Sequence, residues 1–116
     1  MDVLISNSEL KNQFQVADFV LKTQKQIAKD FYSSGLYFDE EFELNELPKN
    51  QILELIQLKL EEVMCLGESQ LLQLIYQIDV PQPIFLKHIG EVNFILKLSE
   101  IILRREAYKV YLRSLF

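Results

Sequence analysis

Residues 48–83, PKNQILELIQLKLEEVMCLGESQLLQLIYQIDVPQP, decide how this chain folds. Ile52, Ile56, Val63 and Leu66 recur at steps of four, seven and three, the period of an α-helix, with Leu53, Leu60 and Met64 widening the stripe. Glu54, Lys59, Glu61 and Glu62 take the other side. Pro48 is tolerated in the opening turn, and Asn45 ahead of it is expected to cap the helix. Gly67 breaks the pattern. A second run, from Glu68 to Ile78, carries Leu71, Leu72, Leu74, Ile75 and Ile78. It is apolar on most sides, which predicts the buried central helix. Asp79-Val80-Pro81-Gln82-Pro83 closes the stretch, because proline fits the start of a helix but not its interior, and Asp79 is expected to cap the next helix.

Working outward, a short helix is predicted from Pro81 to His88, ending at Gly90, and a long one over about Glu91 to Leu115. Phe94, Leu98, Ile101, Tyr108 and Leu112 make its stripe, with Ile95 and Ile102 beside it. On the other side, residues 36–47 (LYFDEEFELNEL) lack a helical period. The even spacing of Leu36, Phe38, Phe42 and Leu44 predicts an extended segment laid across the bundle. Further back, Ser6-Asn7-Ser8-Glu9 reads as a capping box that opens a helix running to Tyr32 and stopping at Ser33-Ser34-Gly35. Leu10, Phe14, Ala17, Leu21, Ala28 and Phe31 form its stripe, with Gln24 in the remaining slot. At 1.5 Å per residue this helix is about 38 Å long. That exceeds what so small a domain requires, so residues 1–20 are expected to project or to pair with another chain. The fold class is all-α: one domain over 1–116, a compact bundle of about five helices, long at both ends with short central ones.

Composition agrees. The 116 residues are 49% apolar with only 3 Gly and 3 Pro, enough for one packed core and little turn punctuation. Net charge is −5, which opposes general affinity for phosphate backbones. The charge is unevenly spread: residues 35–68 hold nine acids against Lys49 and Lys59, whereas 97–116 hold five bases against Glu100 and Glu106. Cys65 is the sole cysteine, so no internal disulfide or cysteine metal cluster can form, and a free thiol suits a reducing compartment. Residues 1–6 lack the basic and apolar regions of a secretory signal, and no apolar run approaches the roughly 18 residues of a membrane span. A cytoplasmic protein is expected.

Little in the chain carries reaction chemistry. His88, at the end of a short helix, sits where the helix dipole favours a cation and reads as structural or solvated rather than as an acid, base or ligand. Cys65, within Val63-Met64-Cys65-Leu66, is expected to be buried and inert. Asp39-Glu40-Glu41 with Glu43 and Glu46 lack the glycine-bearing spacing of a calcium loop and read as a solvated acidic segment. Glu61 and Glu62, adjacent on a helix, point about 100° apart and form no dyad. Phosphate-loop, zinc-protease and serine-hydrolase motifs are all missing. A non-enzymatic protein without cofactor or metal is expected.

The last helix offers a surface. Arg105, Lys109 and Arg113 fall four residues apart, with Tyr108 and Tyr111 beside them. They can pair with the chain's own acidic region, meet a protein partner, or contact nucleic acid. On the first helix, Val16, Val20 and Ile27 form a second apolar stripe that needs a cover. Protein binding, most simply as a homodimer, is the leading expectation. The alternatives are a regulatory nucleic-acid-associated protein using the basic helix and a bundle that binds a small ligand.

Residues 71–80 (LLQLIYQIDV) and 101–113 (IILRREAYKVYLR), with 26–31 (QIAKDF) as an extension, resemble segments of a group of small bacterial helical proteins. In that group an aliphatic helix ends in Tyr-x-Ile-Asp-Val and the C-terminal helix is basic. These are packing and capping signatures over about residues 45–113. The resemblance implies a helical fold and no activity.

Overall fold

The computed structural model describes residues 17–115. The capping box at residues 6–9, the apolar Leu10 and Phe14, the interface candidate Val16 and most of the segment expected to project lie outside the described residues.

Among the described residues five α-helices follow in order: α1 Ala17–Tyr32, α2 Lys49–Leu66, α3 Glu68–Ile78, α4 Gln82–His88 and α5 Phe94–Ser114, with a 3₁₀ turn at Glu40–Glu43 between the first two. The all-α bundle read from the sequence is the fold, and most boundaries fall within a few residues of those expected.

The stops are chemical. After α1, Gly35 turns left-handed (φ 82°), its N–H bonds to the Tyr32 carbonyl at 2.9 Å, and the Leu36 N–H reaches back to Phe31 at 3.0 Å. This satisfies the last carbonyls and drops Leu36 into the core. The same motif ends α3, where Asp79 holds the left-handed position (φ 70°), its N–H bonds to Tyr76 and the Val80 N–H bonds to Ile75. Asp79 therefore closes the helix before it and does not cap the one after it, because a short polar side chain tolerates that backbone. Gly67, at φ 123°, makes the sharp bend between α2 and α3 in a conformation that side chains oppose. Asn45 is not the cap of α2, since Pro48 takes that position and its carbonyl accepts the first turn's N–H groups. α5 starts at Phe94 rather than Glu91, after a turn whose Glu91 bonds to His88 and Lys97.

α5 is the hub, packing against all four other helices. Its buried residues wrap most of its circumference, with Leu98, Ile102, Glu106 and Val110 along one line. The expected central helix, α3, is instead one-sided. Leu71, Leu74, Ile75 and Ile78 face inward while Leu72 and Tyr76 face solvent, so a high apolar content there does not mean burial all round. α1 is covered on two sides, by α5 and by the 3₁₀ turn with α3. That cover buries Val20 and Ile27 within the chain. The exposed stripe expected of them is corrected. At the end of α2, Met64, Cys65 and Leu66 are exposed, so Cys65 does not join the core.

Residues 36–47 are held by a side chain, not by strand pairing. Gln24, fully buried in the apolar stripe of α1, donates through Nε2 to the carbonyls of Phe42 and Asn45, both at 2.8 Å, and accepts the Leu47 N–H at 2.9 Å through Oε1. A primary amide is the side chain that can both donate twice and accept here. Phe42 stacks on Phe38 at 4.2 Å, Phe38 meets Phe31 edge-on at 5.3 Å, and Leu44 is left exposed.

Candidate functional site

The polar chemistry gathers on the seam between α1 and α5. Asp30, on the inner side of α1, has a buried carboxylate whose Oδ2 accepts from Lys109 Nζ at 2.7 Å and from Gln26 Nε2 at 3.1 Å. One turn back along α5, Glu106 Oε1 lies 2.9 Å from the same Nζ. Both Glu106 oxygens are sealed from solvent. Burial pushes the Glu106 carboxyl up to about 9, and the negative charge of Asp30 beside it adds to the rise. Burial alone would raise Asp30 as well, but the hydrogen bonds from Glu106, Lys109 and Gln26 outweigh it and hold Asp30 below its ordinary value. At neutral pH the cluster is a neutral acid, a carboxylate and an ammonium, and its net charge is zero. A shifted carboxyl is a common mark of catalysis. Glu106 is 0% exposed, so its carboxyl lies inside the seam.

The residues singled out on α5 divide. Arg105 bonds to Asp79 Oδ2 at 2.6 Å and lies 5.4 Å from the Tyr108 ring, which is itself buried. Lys109 is taken up by Asp30 and Glu106. Both find partners in the chain, as the intramolecular reading allowed, but in Asp30 and Asp79 rather than in the acidic 35–68 region. Only Arg113 of the three is exposed. The periodic step of four set them on one helix face; it could not show that neighbouring elements reach that face with carboxylates.

His88 is half-buried with Nδ1 2.7 Å from Glu91 Oε1, which helps hold the Glu91 carboxyl below its ordinary value together with Lys97. Among the described residues no group of three or more His, Cys, Asp or Glu side chains is placed to hold a metal ion, and no helix is long and apolar enough to cross a membrane. The acidic side chains of 39–46 are all exposed.

Two further features stand out on the surface of the described residues. An open cleft of about 550 Å³ runs between α1 and α5, lined by Lys22, Lys25, Lys29 and Arg113. The lysines share one face of α1 at steps of three and four, a signal present in the sequence; that Arg113 stands opposite them was not. At the turn joining α4 to α5, Leu86, Ile89, Val92 and Leu96 are exposed within eleven residues, and Val92 is fully so. The edge contact of Phe85 with Phe94 (5.7 Å) draws the two arms of that turn together. Comparison with protein-family models, curated proteins and solved structures returned no match to this chain.

Proposed function

We propose that this chain is a non-catalytic binding module of the cytoplasm that associates with a second copy of itself through the α4–α5 corner. The observation that carries the reading is the exposure of Leu86, Ile89, Val92 and Leu96 together on one corner. Contiguous apolar groups left in water favour removal into an interface, at about 25 cal/mol per Å². The rim favours a like surface: Lys87, Glu91, Lys97 and Glu100 carry both signs, so a twofold-related copy can present opposite charge to each. This surface replaces Val20 and Ile27, which are consumed by the core.

The nucleic-acid reading is less well supported, because Arg105 and Lys109 are already neutralised within the chain. Light scattering on the purified protein tests the proposal. A mass above the 13.7 kDa of one chain is expected at about 50 µM, falling towards 13.7 kDa on dilution. Val92→Glu should abolish the increase, whereas Tyr76→Glu, on the exposed face of α3, should not. A 13.7 kDa species at every concentration, or insensitivity to Val92→Glu, overturns it.

A further inference from the structure

We propose that the α1–α5 cleft binds a small organic phosphate carrying two linked phosphate groups. Three features point to it. The first is convergence of charge: in a chain of net charge −5, four cations from two helices line one concavity, with Asp18 the one carboxylate among the described lining residues. Asp18 pairs with Lys22 at 3.2 Å. Among the described residues no carboxylate stands at ion-pair distance from Lys25, Lys29 or Arg113, whereas Lys59, Lys97, Arg105 and Lys109 all have one. Like charges gathered without a counter-charge repel one another, and a bound anion relieves that repulsion.

The second feature is shape. Lys22, Lys25 and Lys29 climb α1 in steps of about 4.5 and 6 Å, and Arg113 stands across from them on α5. Ammonium groups act as point charges, and the guanidinium fork suits two oxygens of one phosphate. A cleft of about 550 Å³ lies within the range that holds small ligands. The third feature is the apolar part of the lining, where Phe19 and Val110, both largely buried, border the cleft and leave an apolar edge for the body of the ligand. The lining's excess of three positive charges matches the roughly three negative charges of linked phosphates at neutral pH.

The test is a two-dimensional ¹H–¹⁵N NMR titration of the full chain at low salt with four probes: sodium pyrophosphate, adenosine diphosphate, an oligoglutamate peptide and a short single-stranded DNA. Pyrophosphate and adenosine diphosphate should saturate at one per chain with Kd below about 1 mM, the diphosphate binding more tightly through its organic body. Shifts should concentrate on α1 and the last two turns of α5. The double substitution Lys25→Gln, Lys29→Gln should weaken binding about tenfold or more, and Arg113→Gln should do so on its own. All three side chains are exposed, so an unchanged melting temperature certifies the fold. Lys49→Gln, exposed on α2 and outside the cleft, should leave affinity unchanged. Failure of both phosphates to saturate, an equal loss with Lys49→Gln, or binding of only the peptide or only the DNA overturns the proposal.

Discussion

Replacing Gln24 by leucine removes the amide that fixes residues 42–47 while keeping the side chain's approximate volume. The Phe42 carbonyl, held in a buried hydrogen bond at 2.8 Å, loses its donor, at a cost of about 1–3 kcal/mol. The Asn45 carbonyl and Leu47 N–H are part-buried, and water replaces some of what they lose, so about 1 kcal/mol each is a fair charge. Added apolar burial from leucine returns about 1 kcal/mol. The net loss is about 2–4 kcal/mol. Urea unfolding followed by circular dichroism measures it, with the slope against denaturant unchanged if the denatured state is unaffected. Hydrogen exchange gives the local reading: the Leu47 amide should exchange faster relative to global unfolding in the variant. A loss under about 1 kcal/mol with Leu47 protection intact refutes the clamp.

Two further outcomes rest on the core. Glu106 has a raised carboxyl in the folded state, about 9 against 4.5, so the folded chain binds more protons than the unfolded one between those values. Its contribution is whole below about 4.5 and is lost as pH rises towards 9, with a slope of at most about 1.4 kcal/mol per pH unit. Glu106→Gln should remove that slope, so that unfolding curves of the variant gain on the native protein from pH 6 to 9; parallel pH profiles contradict the assignment. Leu74→Ala, at a fully buried position of α3, should lower stability by about 2–5 kcal/mol in the same urea assay, and a loss below about 1 kcal/mol would place α3 outside the core.

The helices were legible because their signals are local. Spacing set α2 and α3, Gly67 set the bend between them, and Pro81 with Pro83 set the start of α4. What failed to show was which apolar faces meet. Val20 and Ile27 read as a surplus stripe because nothing in α1 says that α5 and residues 36–47 flank it on different sides. α3 read as central from its leucines alone, yet Leu72 and Tyr76 lie on its exposed side. Gln24 stood out as the one polar residue in an apolar stripe, but its three partners lie 18 to 23 residues away, beyond any helical period. Of the candidate site, the basic step of Arg105, Lys109 and Arg113 was visible, whereas the carboxylates that absorb two of them come from elsewhere in the chain, Asp30 from α1 and Asp79 from the turn that closes α3. The α4–α5 corner escaped notice because the chain breaks at Gly90, so the steps of three and four from Leu86 through Ile89 and Val92 to Leu96 span two elements and do not read as one helix face.

The most direct measurement for the binding account is an isotope-filtered NMR experiment on a mixture of ¹³C-labelled and unlabelled chains, which detects only contacts between copies. Contacts from the methyl groups of Leu86, Ile89, Val92 and Leu96 on one copy to the same corner of the other are the expected result. Contacts mapping to another face, or none at concentrations where light scattering reports a dimer, would contradict it.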